Sequence, residues 1–278
     1  MPAGNERIGP TAHLTAAVWY ANGLSPRALS TAPGRALYRA MAPLNALYRR
    51  RGHRTLEQML LTRHRLLDDA LRALVDAGEV SQVLELGAGL SGRGLRFARA
   101  GASLAYVESD LPAMIARKRA ALARAGLALP NHAFVALDVF EHGGPRSLEA
   151  ALASLDPARG LAIVTEGLVP YLTRPQLDDL WRRLAAGLAR FPRGCYLTDL
   201  NLSDDVGSRR AAGALHRALR ALVGGDVTLH FAGPSEAEVA LRDAGFAEVR
   251  FAPPTGPDGL AADGKRPIVR AVSARLPR

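Results

Sequence analysis

The stretch Gln82-Val83-Leu84-Glu85-Leu86-Gly87-Ala88-Gly89-Leu90-Ser91-Gly92-Arg93 constrains the fold more than any other part of the chain. A mostly apolar, strand-favouring run enters a glycine turn, and the turn opens a helical pattern through Leu95, Phe97 and Ala98. Such a loop sits at a strand end of an α/β sheet, where backbone N–H groups and a helix start face a ligand. Gly87, Gly89 and Gly92 match the dinucleotide fingerprint, although a tight strand-to-helix turn calls for glycine on conformational grounds alone.

The residues downstream narrow the choice. Ser103 to Val107 reads as a second buried strand, ending at Glu108-Ser109-Asp110. That is roughly 20 residues past the glycines, where a carboxylate accepts hydrogen bonds from ribose hydroxyls. An acid there suits any nucleoside, so these residues alone leave open a nicotinamide dinucleotide and S-adenosylmethionine (SAM).

Composition bounds the remaining classes. With 278 residues, 48% hydrophobic and 22% charged, the chain reads as a soluble protein with one large α/β domain and an extra helical piece. Met1 to Arg7 lacks a secretory hydrophobic core and no apolar run approaches about 18 residues, so a cytoplasmic location is expected. The single Cys195 excludes an internal disulfide and, within Gly194-Cys195-Tyr196-Leu197, reads as a small core residue. The seven histidines fall at none of the usual zinc spacings, so no metal is expected. The net charge of +10 comes almost wholly from arginines scattered along the chain, with Lys118 and Lys265 the only lysines. The densest run, Arg49 to Arg54, reads as a solvated helix end, with recruitment of an acidic substrate as its functional alternative. No nucleic-acid partner is expected.

In chain order, helical patterns cover Thr11 to Tyr20, stopping at Asn22-Gly23, and Arg35 to Arg50, interrupted by Pro43. A third covers Thr55 to Asp76, with Leu56, Met59, Leu60, Leu66, Leu67, Leu71 and Leu74 on one face and Gly78 closing it. Residues 1–79 are therefore read as an N-terminal helical cap or lid. From Ser81 strands and helices alternate: a helix from Ala113 to Gly126 after Pro112, and a strand at Ala133 to Leu137 ending at Asp138. A helix at Ser147 to Leu155 precedes the strand Leu161 to Val164, which runs into Thr165-Glu166-Gly167. A helix at Arg174 to Arg190 and a strand at Cys195 to Leu200 follow. Residues 201–233 read as an insertion holding a basic helix, Arg209 to Leu222, and an extended piece around Val227 to Leu229. The last helix, Ser235 to Ala244, is expected to start on Ser235 capping toward Glu238, and strands are expected at Ala247 to Phe251 and Pro267 to Ala274. This alternation predicts a largely parallel sheet covered on both faces over residues 80–278. Asp110, Asp138 and Glu166 then follow successive strands and share the edge where ligands bind.

Three groups of residues, taken together, resemble one family. Val83 to Gly89, Glu108-Ser109-Asp110-Leu111-Pro112 with Lys118, and Glu166-Gly167-Leu168-Val169-Pro170-Tyr171-Leu172 are similar to the ordered motifs of the leucine carboxyl methyltransferase-like family of class I SAM-dependent methyltransferases. Pro10 to His13, Trp19 to Ser25, Thr55 to Glu57 and Arg63 to Arg65 resemble a bacterial branch associated with natural-product pathways. The resemblance implies a Rossmann-like seven-stranded sheet whose last strand is antiparallel. It further implies that Arg63 holds the methionine carboxylate of SAM and that Gly87 and Gly89 admit the cofactor's backbone. Asp110 would bind the ribose, Asp138 and Val139 would border the adenine, and Glu166 would face the methionine part. Relatives commonly carry an acidic residue and a threonine where this chain has Ser91-Gly92, while Arg93 agrees.

Methyl transfer from a sulfonium is an in-line displacement, in which alignment contributes up to roughly 7 to 11 kcal/mol in the best intramolecular models. A carboxylate acceptor is already ionised at neutral pH, whereas a phenol with a pKa of about 10 gains from a base. No histidine pairs with an acid within a motif stretch, which favours a carboxylate or another acceptor that needs no base. Tyr171, just past the fourth strand, is the expected acceptor-site residue, and it reads equally as a core tyrosine. His13, Trp19 and Tyr20 are candidates to close over the reaction centre, though packing of the cap accounts for them as well. The function expected is methyl transfer from SAM to a small molecule, at a carboxylate or hydroxyl oxygen in secondary metabolism, releasing S-adenosylhomocysteine. Transfer to sulfur or nitrogen, a nicotinamide-dependent oxidoreductase and a non-catalytic SAM-binding protein are the alternatives.

Overall fold

The computed structural model describes residues 10–51, 55–206, 228–253, 267 and 269–277. Three helices come first: α1 (Pro10–Ala21), α2 (Ala32–Arg50) and α3 (Leu56–Asp76). Next come β1 (Gln82–Leu86), α4 (Arg93–Ala100), β2 (Ala105–Asp110), α5 (Pro112–Arg124), β3 (His132–Ala136), α6 (Leu148–Ala153) and β4 (Leu161–Thr165). The chain continues through α7 (Arg174–Leu188), β5 (Gly194–Leu200), α8 (Pro234–Asp243), β6 (Glu248–Ala252) and β7 (Arg270–Arg275).

The seven strands form one sheet in the order β3-β2-β1-β4-β5-β7-β6. Pairs from β3 through β5 are parallel, and β7 lies antiparallel to both β5 and β6, so the last strand is the reversed one, as expected. Successive strands leave β1 first toward β2 and β3, then on its other side toward β4 and β5. The point of reversal is thus the C-terminal end of β1, where open α/β sheets bind ligands. The register makes that edge level: Leu86 pairs with Ser109 of β2 and with Thr165 of β4. Gly87, Asp110 and Glu166, each one residue further, therefore start from the same height.

Strand periodicity divides the core between the two faces. Leu84 and Leu86 pack with Ile163, Trp181, Leu184 and Leu241 under α6, α7 and α8. Val83, Ala162, Val164 and Leu197 pack with Leu67, Leu71 and Leu74 of α3 and Phe97 of α4. Leu67 and Leu71 are fully buried, each contributing about 1.5–3 kcal/mol. The third helix is thereby a layer of the sheet. A reciprocal Thr55–Gln58 capping box starts it, and Gly78, at φ +65°, follows its end. Above it, α1 and α2 share a smaller cluster of Leu14, Val18, Leu60, Leu37 and Tyr38.

Some expectations need correction. Helix α2 runs unbroken through Pro43, whose missing N–H removes one bond on a helix held by α1 at its other turns. Helix α8 begins at Pro234 with Gly233 as N-cap, and Ser235 makes no capping bond, because proline occupies the first position and moves the start. Instead Glu236 Oε2 accepts the N–H of Ala232 at 2.7 Å. Thr228 to His230 join no strand; Thr228 donates its N–H to Pro170 O at 2.9 Å, and His230 Nε2 lies 3.2 Å from Val169 O. The basic helix expected at Arg209 to Leu222, and Val227, lie outside the described residues.

Candidate functional site

The glycine turn and Asp110 are built as one unit. Gly87 and Gly89 hold φ angles of +65° and +50°, which residues with a Cβ rarely adopt. Asp110 reaches back across the strand ends, so that its Oδ2 accepts Gly89 N–H at 2.7 Å while its Oδ1 accepts Leu111 N–H at 2.7 Å. Two lone-pair positions of the carboxylate stay available to a ligand's hydroxyls. Burial pushes the Asp110 carboxyl up, against those two N–H bonds. A Cβ placed on Gly89 would meet nothing within 4 Å, and one on Gly87 only the Leu168 side chain at 3.6 Å, so the turn is open at these two glycines.

Gly92 has a different constraint. A Cβ there would lie 2.7 Å from Leu24 O and 2.8 Å from Ser25 Cα. The segment after α1 lies directly on the turn, and Arg96 Nε holds it by donating to Leu24 O at 2.9 Å. This accounts for the glycine at position 92.

One strand over, Glu166 is the hub of a buried charge cluster. Arg63 Nε donates to its Oε1 at 3.0 Å; Arg93 Nη2 and His64 Nδ1 reach its Oε2 at 2.5 and 2.7 Å. Arg93 is fully buried and also donates to Asp68 Oδ1 at 2.7 Å and Glu85 Oε1 at 2.6 Å. Both nitrogens of His64 are held within the cluster. Nδ1 lies 2.7 Å from Glu166 Oε2 and 3.0 Å from Arg93 Nη2, and Nε2 lies 2.6 Å from Arg96 Nη2. Burial favours a neutral Glu166, yet His64, Arg93 and Arg63 together hold its carboxyl well below the usual range. Burial likewise acts to raise Asp68, but Arg93, His64 and Arg96 hold it low. Glu85, by contrast, is raised by burial, which outweighs Arg93 beside it.

The sequence reading that no motif histidine pairs with an acid is overturned here. His64 and Glu166 are 102 positions apart in the chain and meet only because α3 lies across the end of β4. Asp68, Glu85 and Asp199 were also missed, since single acids inside a helix or strand carry no pattern. A period-aware signal existed for Asp68, which falls one turn after His64 on the same face of α3.

The other candidates are placed as follows. Trp19 is buried, with its ring centroid 5.0 Å from that of His64, so α1 touches the cluster through it. His13 Nδ1 is bonded to Thr31 Oγ1 at 2.8 Å, at the junction of α1 and α2. Tyr20 is exposed, and neither it nor His13 makes a described contact with the cluster. Asp138 follows β3, with Oδ1 accepting Phe140 N–H at 2.9 Å; Val139 packs on the core, and its carbonyl accepts from Arg183 Nη1 at 2.7 Å. Tyr171 ends a short 3-10 turn, Val169–Tyr171, and is 45% exposed, which places it at the surface of that turn and excludes the core alternative.

Below the site, Glu108 pairs with Lys118 and its Oε1 accepts from His132 Nε2 at 3.0 Å, all three buried. Burial would raise Glu108, but Lys118 and His132 hold it low. A Cβ on Gly94 would lie 2.2 Å from Glu108 Oε1, so α4 approaches this group at its glycine. Among the described residues no cluster of three or more His, Cys, Asp or Glu could hold a metal ion. Among them no helix is long and apolar enough to cross a membrane.

Comparison with known proteins agrees with this architecture. Residues 23–185 match the family model described as leucine carboxyl methyltransferase. A Mycobacterium leprae protein named as a putative S-adenosyl-L-methionine-dependent methyltransferase is 35% identical over 122 residues, 43% of this chain and 38% of that protein. A Mycobacterium marinum protein of the same description is 37% identical over 123 residues, 44% of this chain and 37% of its own length. The matched region thus spans under half of these curated relatives. Among solved structures, a putative methyltransferase from Thermobifida fusca superposes with a TM-score of 0.64 at 20% identity, covering 99% of this chain and 97% of the other. A DUF574 family protein from Streptomyces avermitilis gives 0.59 at 17% identity, covering 95% and 97%. These structures show the same fold, and the family model covers more than half of the sequence: the chain belongs to the leucine carboxyl methyltransferase family.

Proposed function

We propose that this chain transfers the methyl group of SAM to a small-molecule acceptor, at a carboxylate or hydroxyl oxygen, as a cytoplasmic enzyme of secondary metabolism. One observation carries the reading. Asp110 and the Arg63–Glu166 pair stand at one height on either side of the glycine turn. Two strand spacings, about 10 Å, separate β2 from β4. The arrangement suits one ligand with a ribose at one end and an amino-acid group at the other.

When bound, SAM supplies an electrophilic methyl group on a sulfonium. The protein's part is to bind and align it. Asp110 accepts the ribose hydroxyls, Gly87 and Gly89 give the backbone room, and Asp138 and Val139 border the adenine. Arg63 takes the methionine carboxylate, with Glu166 facing the same end. Tyr171, exposed beside the end of β4, lines the acceptor side. Trp19, beside His64, is the first candidate lid residue, with His13 and Tyr20 as further ones.

The case for an acceptor that needs no base now has a different ground. His64 is paired with an acid, but both of its nitrogens are occupied, by Glu166 and Arg96. Its ring is fully buried behind those partners. A carboxylate, ionised at neutral pH, needs no such help.

Calorimetric titration of cofactor-stripped protein with S-adenosylhomocysteine tests the reading, with a reduced nicotinamide dinucleotide as control. Micromolar binding of the first alone, followed by labelled-methyl transfer to a carboxylic acid or alcohol, is the expected result. Binding of the nicotinamide alone makes the turn an oxidoreductase site. Binding without turnover on oxygen, sulfur or nitrogen acceptors leaves a SAM-binding protein.

A further inference from the structure

We propose that Asp199 is a positioning residue that aims the Arg63 guanidinium at the carboxylate of the ligand's amino-acid end. The inference rests on the cofactor reading above and adds a residue to it.

Asp199 lies on β5. The pairing Val164↔Leu197, continued by two residues, brings it opposite Glu166 at the height of the site. Its side chain is 1% exposed. Oδ1 accepts the N–H of Gly167 at 2.6 Å, whereas Oδ2 is buried without any hydrogen bond and faces Arg63 Nη1 at 3.7 Å. Holding Gly167 needs one acceptor, which a neutral amide would supply. A buried carboxylate whose second oxygen lacks a donor costs stability, and such groups in native proteins have a reason to be there.

The reason is visible in the seat of Arg63. Glu166 takes its Nε, Asp199 stands beside Nη1, and Gly167 lies under the fork. A Cβ on Gly167 would come within 2.9 Å of both Nη1 and Nη2, and Gly167 itself has φ +65°. Asp199 therefore does two things at once: one oxygen fixes the glycine turn on which the guanidinium rests, and the other sets its charge from behind. Neither Nη atom donates to a described residue, and the Arg63 side chain keeps 12% of its surface exposed. A guanidinium pinned at Nε with its outer edge open is prepared for two parallel bonds to a carboxylate. Burial pushes the Asp199 carboxyl up while Arg63 opposes it.

The test uses Asp199→Asn, which keeps an acceptor for Gly167, and three ligands: S-adenosylhomocysteine, its analogue lacking only the carboxylate, and its analogue lacking only the amine. Calorimetry on the full chain should show the variant losing roughly 10-fold or more in affinity for the two ligands that carry the carboxylate. Affinity for the decarboxylated analogue should be unchanged. Equal loss for all three would make Asp199 merely structural and overturn the proposal, as would no loss at all. Loss confined to the two amine-bearing ligands would mean that Asp199 meets the ammonium, and would overturn it too. Should the variant not fold, a crystal structure of the wild-type complex decides. The ligand carboxylate on Arg63, with Asp199 behind it, supports the proposal; a carboxylate held elsewhere refutes it. Failure of the wild-type protein to bind S-adenosylhomocysteine would instead sink the cofactor reading, and this inference with it.

Discussion

Replacing Arg93 by methionine, which keeps most of the side chain's length and removes its charge, separates electrostatics from packing. Arg93 is fully buried among three carboxylates, with nitrogen–oxygen distances of 2.7 Å to Asp68, 2.6 Å to Glu85 and 2.5 Å to Glu166. At an effective dielectric of about 20, one such contact is worth about 6 kcal/mol before desolvation is counted, and the desolvation of the arginine opposes most of it. The loss on breaking the cluster is larger than the net value of the cluster, because the carboxylates stay buried without their cation. About 3–5 kcal/mol is expected at neutral pH, against a typical total of about 5–15 kcal/mol.

The pH dependence gives this its sign. Burial would raise Glu166 and Asp68, but Arg93, with His64, Arg63 and Arg96, holds both low in the folded protein. A depressed folded pKa contributes stability that is present above the unfolded value, about 4, and is lost as pH falls through the folded value. In Arg93→Met burial acts with less opposition, so these carboxyls titrate higher and can take up protons in mild acid. The gap between wild type and variant should therefore be widest near neutrality and narrow as pH falls from about 7.5 to about 4.5. Urea unfolding followed by far-UV circular dichroism at both pH values measures it. A neutral-pH loss under about 1 kcal/mol, or a gap that grows in acid, would refute the reasoning.

Other predictions concern the same edge of the sheet. Asp110→Ala should weaken S-adenosylhomocysteine binding by roughly 1.5–3 kcal/mol, read by calorimetry, and unchanged affinity in a folded variant would remove Asp110 from the site. Because burial raises the Asp110 carboxyl, wild-type affinity should fall as pH drops through a value above the ordinary 3.9 or so, and Asp110→Asn should flatten that profile. Tyr171→Phe should leave cofactor affinity intact and alter turnover; a loss confined to cofactor binding would contradict its placement on the acceptor side. Gly92→Ala should destabilise by about 1–3 kcal/mol in thermal or urea unfolding, since its Cβ would lie 2.7 Å from the backbone oxygen of Leu24, and a neutral effect would show that the Leu24–Ser25 segment yields.

Much of the sheet was readable because β1 and β4 are buried along their whole length, so apolar runs bounded by glycine and acids mark them. The antiparallel last strand was not readable from periodicity; it came from the family resemblance, and the pairing of β7 with β5 and β6 agrees. Gly89 and Asp110 were legible as a pair because a β-α-β unit fixes their separation. The Arg63–His64–Glu166 contact was not, because no local period links α3 to the end of β4. Asp199 was invisible for the same reason: inside Cys195-Tyr196-Leu197-Thr198-Asp199-Leu200 it reads as one polar residue of a strand. Helix starts failed where proline competed with serine, as at Pro234 and Ser235.

The charge cluster ties α3 to the sheet. Arg63, His64 and Asp68 come from α3, Arg93 and Arg96 from α4, Glu85 from β1 and Glu166 from the end of β4. Moving α3 away would expose Leu67 and Leu71 and at the same time leave Glu166 facing Arg93 alone. It would also unseat Arg63. By contrast, α1 touches the cluster through a ring, Trp19 on His64. Arg63 sits on α3, and the glycine turn lies under the Leu24–Ser25 segment that follows α1. The densest contacts thus lie at the α3 side of the site, where the proposed reading puts the ligand's charged end and alignment matters most, and the lighter contacts lie where the chain crosses above the turn.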